Sequence, residues 1–236
     1  MTSNQINALD AGQRLSAVRQ RLDRACQAAG RNSDNVRLLA VSKRHPAQAI
    51  RDLHALGHNA FGESYVNEGV DKVEQLSDLD LEWHLVGPMQ SNKTRAAAEH
   101  FDWVHSLDRI RIARRLNNQR PEDMPPLNVL IQVNVDNEPQ KSGCAPDEID
   151  ELAEFVEACP RLALRGLMAI PAQKDSEDAQ RRSFRRLYEL FVKLGEGHPK
   201  VDTLSAGMSD DLEAAVAEGS TMVRIGTALF GAREET

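Results

Sequence analysis

A chain of 236 residues, 41% of them apolar, is long enough for one large α/β barrel or two small domains and can bury a sizeable core. Its formal charge of -7, spread without long blocks of either sign, excludes a sequence-independent grip on nucleic-acid phosphates or on an anionic membrane surface. Cys26, Cys144 and Cys159 are odd in number and lack CxxC spacing, which excludes a disulfide framework and a cysteine zinc site; a polar N-terminus and no apolar run of roughly 18 residues make a cytoplasmic location the expectation.

In chain order, Leu15, Val18, Leu22 and Ala25 share one helical face and predict a helix over about residues 5–29, stopped by Gly30. Eight short apolar runs follow: "VRLLAVS", "NAFG", "LEWHLVG", "DWVHSL", "LNVLIQVNV", "LALRGLMAI", "VDTLSA" and "MVRIGTALFG". Between them lie stretches of helical length, such as "APDEIDELAEFVEA" and "SEDAQRRSFRRLYELFVKLG", with Asp, Ser or Pro near their starts. Strand and helix alternate throughout. Eight such alternations predict an α/β fold, a single (β/α)8 TIM barrel over residues 1–236, rather than an open doubly wound sheet. An open sheet would carry GxGxxG or GxxxxGK[ST] after its first strand; Lys43 stands there instead. The last apolar run leaves about five residues, so no helix is expected after strand eight, and the N-terminal helix is expected to close the outer ring. A monomer is expected.

In this fold the reactive groups lie at the carboxyl ends of the strands, and phosphate sites favour the loops after strands seven and eight. Lys43 ends the first strand. It reads either as a solvated lysine that terminates an apolar run or as an amine held on a rigid strand end for Schiff-base chemistry. Arg224 alternates with Val223 and Ile225 in "MVRIGT", so it points into the barrel if those two face the helices. A guanidinium there needs an acceptor, either an internal carboxylate or a ligand. The segments "LSAGMSDDLEAA" and "RIGTALFG" supply short hydroxyls and backbone N–H groups at Ser205, Gly207, Ser209, Gly226 and Thr227, suited to an anion. The plainer reading is turn and cap chemistry, with Asp210 and Glu213 as a capping box. Lysine, inward arginine and phosphate cup together have the layout that holds pyridoxal phosphate: an amine for its aldehyde, a donor for its ring nitrogen, and a cradle for its phosphate.

The motifs "AVSK", "FGESYVNE", "WHLVGPMQSNK", "VLIQVNVDNEPQKSG", "RGLMAIP" and "GMSDDLEAAVAEGSTMVRIGTALFGAR", in this order from about residue 14 to 233, closely resemble the pyridoxal phosphate homeostasis protein family, single-domain relatives of the alanine racemase N-terminal barrel. The resemblance implies a binding protein that carries, stores or delivers pyridoxal 5'-phosphate to dependent apoenzymes, without established catalytic turnover. It implies that Lys43 carries the cofactor as an aldimine, that Arg224 faces the pyridine nitrogen, and that Ser205, Gly207, Met208, Gly226 and Thr227 form the remaining cofactor contacts. It also hints at Lys141 as a second cofactor lysine, against the plainer reading of a solvated loop lysine. Ser64 stands where the family pattern has asparagine, which bears on a cofactor contact from strand two, and Ala206 replaces a frequent methionine.

Other residues are expected to be plainer. His84 reads as a hydrogen-bonded core histidine before a proton carrier, Trp83 and Trp103 as core aromatics, and Asn134 as a possible wall of the pocket. The arginines at 181–186 read as a solvated helix face. Two other activities use the same parts. A pyridoxal-phosphate racemase or decarboxylase would need a companion domain to close the substrate side, and both tyrosines, Tyr65 and Tyr188, fall on predicted helices or helix starts. A Schiff-base aldolase for a sugar phosphate would leave Arg224 without a role.

Overall fold

The computed structural model describes residues 10–171 and 176–231. Helix α1 (Ala11–Ala28) comes first, then β1 (Arg37–Val41), α2 (Ala47–His54), β2 (Ala60–Glu63), α3 (Val66–Gln75), β3 (Glu82–Leu85), α4 (Thr94–His100), β4 (Trp103–Leu107), α5 (Ile110–Gln119) and β5 (Leu127–Gln132). The chain continues through α6 (Ile149–Glu157), β6 (Leu162–Met168), α7 (Glu177–Gly197), β7 (Thr203–Ser205), α8 (Leu212–Ala217), β8 (Met222–Ile225) and α9 (Thr227–Phe230). The strands form a closed barrel in sequence order, and β1 closes it by pairing parallel with β8. This is the expected (β/α)8 architecture. Buried on both faces, its strands read as nearly unbroken apolar runs. The main core lies between strands and helices and holds Phe61, Leu85, Val104, Ile131 and Val223, while Trp103, Leu130 and Met168 form a separate apolar cluster.

The first helix starts later than its apolar pattern suggests. Asp10 caps it, accepting from Gln13 N–H at 2.7 Å while the Gln13 side chain accepts from Asp10 N–H at 3.3 Å, a reciprocal arrangement that satisfies two N–H groups. Residues 5–9 of the expected helix lie outside the described residues.

The expectation of no helix after strand eight is corrected. Strand β8 ends at Ile225, where the backbone turns at Gly226, and "TALF" forms one helical turn, α9. One turn cannot cover a barrel strand. Helix α1 does so, packing against α8, α9 and α2. Arg14 Nε donates to Leu229 O at 2.6 Å, Arg21 pairs with Glu213 at 2.6 Å, and Arg31 donates to Val216 O and Ser220 O at 2.7 and 2.8 Å. The arginines of α7 are corrected in part: Arg181 and Arg185 both pair with Glu218, at 2.7 and 2.8 Å, tying α7 to the end of α8.

Candidate functional site

At the carboxyl end of β1 the chain passes from Val41 through fully buried Ser42 to Lys43, then turns sharply. Arg44 has a φ of 61°, a left-handed conformation that costs a residue with a Cβ energy unless its surroundings hold it. They do. The Arg44 N–H donates to Glu68 Oε1, and Lys72 Nζ donates to Ser42 O at 2.8 Å, Glu63 Oε1 at 2.7 Å and Glu68 Oε1 at 2.8 Å. Ser42 Oγ donates to Glu63 Oε1 at 2.7 Å. Residues on both sides of Lys43 are thus clamped to a triad from β2 and α3, the buried Glu63 and Lys72 with the partly buried Glu68. Burial pushes the Glu63 carboxyl above its ordinary range, against the pull of Lys72.

Lys43 lines a cavity of about 250 Å³ at the carboxyl end of the barrel, with Val41, His45, Ser64, Val86, Ile170, Met208, Ser209, Asp210, Arg224, Gly226 and Thr227. Six sequence-predicted residues therefore meet there: Lys43, Met208, Ser209, Arg224, Gly226 and Thr227. Ser205 and Gly207 are not part of this wall. Ser205 is fully buried beneath Arg224, and Gly207 turns the chain with a φ of 96°, where a Cβ would fall 2.6 Å from that of Ala215.

Arg224 points inward, as its alternation with Val223 and Ile225 requires. Its NH1 donates to Ser205 O at 2.7 Å and Ser205 Oγ at 2.8 Å, and its NH2 to Ala169 O at 2.9 Å. These acceptors are neutral, and among the described residues no salt bridge absorbs the charge. Burial pushes the guanidinium down to about 10, with the Asp211 carboxylate pulling the other way, and at neutral pH it remains a cation and donor.

Beside it, where β8 pairs with β1, Gly226 presents bare backbone; a Cβ there would approach Val41 O to 3.3 Å. The start of α9 leaves N–H groups at Thr227 and Ala228 with no acceptor inside the helix. The expected capping box at Asp210 and Glu213 is not formed. Helix α8 is capped at Asp211 without a side-chain bond; Asp211 Oδ1 instead accepts from Met208 N–H at 2.6 Å, and Glu213 is drawn to Arg21. The Met208 N–H is thereby taken by the protein's own carboxylate.

Asn134 lies elsewhere, folding its own loop by accepting from Glu138 N–H at 3.1 Å and donating to Glu138 O at 2.8 Å. Lys141 lines an adjoining cavity of about 710 Å³ that shares Ile170, Met208 and Asp210 with the first. His84 is the buried, hydrogen-bonded histidine of the plainer reading, bonded to Glu82 and His105. Of the residues that sequence reasoning passed over, His45 joins the wall and stacks on Phe230 with ring centres 5.0 Å apart; its place two residues after Lys43 was the available signal.

The chain matches the family described as alanine racemase, N-terminal domain over residues 13–234. It is 57% identical over 220 residues to the pyridoxal phosphate homeostasis protein of Pseudomonas aeruginosa, covering 93% of this chain and 94% of that one. The chain belongs to this family. The homeostasis protein of Escherichia coli K12 is 53% identical over 228 residues, covering 95% of this chain and 97% of that one. Among solved structures, PipY of Synechococcus elongatus PCC7942 with pyridoxal phosphate bound superposes with a TM-score of 0.79 at 36% identity, covering 94% of this chain and all of that one.

The cavity fits the cofactor that the homeostasis family is named for. A primary amine, a buried guanidinium that donates to neutral acceptors among the described residues, and a backbone wall beside two hydroxyl side chains, Ser209 and Thr227, stand around one space, matching an aldehyde, a ring nitrogen and a phosphate.

Proposed function

We propose that this chain binds pyridoxal 5'-phosphate through Lys43 and serves its homeostasis in the cytoplasm, as a reservoir that releases the cofactor to apoenzymes and not as a catalyst of amino-acid chemistry. The carrying observation is that Lys43, the inward-facing Arg224 and the Gly226–Thr227 segment line one cavity. When bound, the cofactor supplies an aldehyde for an amine and a ring able to withdraw electrons from a substrate carbon. Lys43, held by its clamped neighbours, presents the amine. Arg224 donates to the ring nitrogen, and the Gly226–Thr227 backbone with the Ser209 and Thr227 hydroxyls receives the phosphate.

Arg224 also supports the absence of turnover. A guanidinium that donates to the ring nitrogen leaves that nitrogen an acceptor without a proton of its own, which weakens the ring as a sink for negative charge. The cavity wall includes neither of the chain's two tyrosines; Tyr65 is exposed and Tyr188 packs beside Phe191. The cytoplasmic placement is supported by three cysteines that are all free and buried, and by the described helices, none of which is long and apolar enough to cross a membrane.

Two measurements test this reading. Borohydride reduction of the yellow purified protein should fix a pyridoxyl phosphate mass on the peptide containing Lys43; a sugar-phosphate adduct would select an aldolase, and an unchanged spectrum in Lys43→Ala would reject the residue. Loaded protein incubated with L-alanine in deuterated water should show neither Cα exchange nor racemisation by NMR. Turnover of about 1 s⁻¹ or faster would make it an enzyme.

A further inference from the structure

The strands of such a barrel normally fill its interior with branched apolar side chains. Here Glu82 and His84 of β3, His105 of β4, Ser205 of β7 and Arg224 of β8 are joined side chain to side chain across that interior. Arg224 NH1 lies 2.8 Å from Ser205 Oγ, which lies 3.1 Å from His105 Nδ1. His105 Nε2 is 2.9 Å from His84 Nδ1, and His84 Nε2 is 2.6 Å from Glu82 Oε1. Glu82 opens β3, at the end of the barrel opposite the cavity, where the same oxygen accepts from Arg37 at 2.6 Å. Both imidazoles are fully buried, and the Trp103 ring stacks on His84 with centres 5.2 Å apart.

With both rings neutral, the protons run in one sense. The Glu82 carboxylate only accepts, so His84 donates to it from Nε2 and accepts on Nδ1 from His105 Nε2–H. That leaves His105 Nδ1 to accept the Ser205 proton while Ser205 Oγ accepts from Arg224. Reversing one link would set two donors or two acceptors against each other. Burial favours the neutral rings, lowering His84 and taking His105 well below the ordinary imidazole range. Glu82 and Asp102 pull His84 upward while Arg37 opposes them, and Arg224, Arg37 and His84 all act to lower His105.

We propose that Glu82, His84 and His105 are positioning residues for Arg224: through this one-way chain, a carboxylate at the far end of the barrel fixes Ser205 Oγ as an acceptor and holds the guanidinium as a donor toward the nitrogen of a bound pyridine ring. Hydrogen bonds in series polarise one another, so Ser205 Oγ carries part of the Glu82 charge to Arg224. The same arrangement commits the Ser205 hydroxyl to His105 and withdraws it from the phosphate cup. The proposal rests on the reading of Arg224 given above.

The direct test needs no cofactor. Two-bond nitrogen–proton NMR of the 15N-labelled apoprotein should show His84 and His105 neutral, protonated on Nε2 and unresponsive between about pH 5 and pH 8. A ring that titrates in this range, or carries its proton on Nδ1, would overturn the relay. If Arg224→Gln bound pyridoxal phosphate as tightly as the natural protein, the reading of Arg224 would fail while the tautomers stood. A second comparison uses the cofactor. Glu82→Leu removes the acceptor for His84 and should raise the Kd for pyridoxal phosphate roughly tenfold, the size of one lost hydrogen bond to a charged group. Glu82→Gln keeps an acceptor and should raise it clearly less. Equal effects of the two, or none from Glu82→Leu, would overturn the proposal; should Glu82→Leu not fold, the NMR result decides alone.

Discussion

Lys72 shows how much a single buried charge can govern. Its ammonium reaches Ser42 O, Glu63 and Glu68 at once, and Glu63, at 0% exposure, has no other cation bonded to it among the described residues. Removing one partner of such a pair strands the other, at a cost of about 3–5 kcal/mol, whereas removing both is far milder. Lys72→Met should therefore lose stability of that order in urea unfolding at neutral pH, and should slow capture of pyridoxal phosphate by Lys43 because Ser42 loses its tether. Lys72→Met combined with Glu63→Gln should recover much of the stability, a coupling that a double-mutant cycle measures. Additive losses would show that the two groups do not act as a pair.

At the scale of elements, α1 replaces the covering helix that the single turn of α9 cannot provide. Leu15, Val18 and Leu22 are each nearly fully buried, and each contributes about 1.5–3 kcal/mol by leaving water. Deleting residues 1–30 should leave an insoluble chain or one melting far lower, and a soluble truncate with unaltered melting would refute the ring closure. This helix was legible in the sequence, as were all eight strands, because a strand buried on both faces and an amphipathic helix differ in the period of their apolar residues. Lys43 and Arg224 were legible for the same reason: each is a charge set into an apolar strand or at its end. The clamp and the relay were not. Ser205 meets His105 across 100 positions and Lys72 meets Ser42 across 30, and no local pattern encodes such pairings. The Asp210–Glu213 spacing misled because Asp211, one residue on, turns back to bond Met208.

For the molecule as a whole, the buried histidines set how it meets acid. His58 is 7% exposed, with its Nε2 2.9 Å from Ala60 O and its ring edge-on to Phe61. Burial pushes it down to about 4, with the Ala60 bond opposing. An imidazole lowered in the native state takes its proton first in the unfolded chain. The stability tied to it is therefore whole above about pH 6.5 and is lost as pH falls toward about 4. His84 and His105, also lowered, act in the same sense. Glu63, Asp102, Asp108 and Asp211 act in the opposite sense, because burial raises them and the native state binds their protons first. The bare pH profile mixes both groups, so the contribution of His58 is read by difference. His58→Gln retains an N–H for Ala60 O but cannot titrate. The stability of the natural protein minus that of this variant should shrink by roughly 2 kcal/mol between about pH 7.5 and pH 5, measured from urea midpoints at several pH values. A difference that does not change with pH would show that His58 takes its proton alike in the native barrel and the unfolded chain, and one that grew as pH fell would show that the native imidazole already holds it.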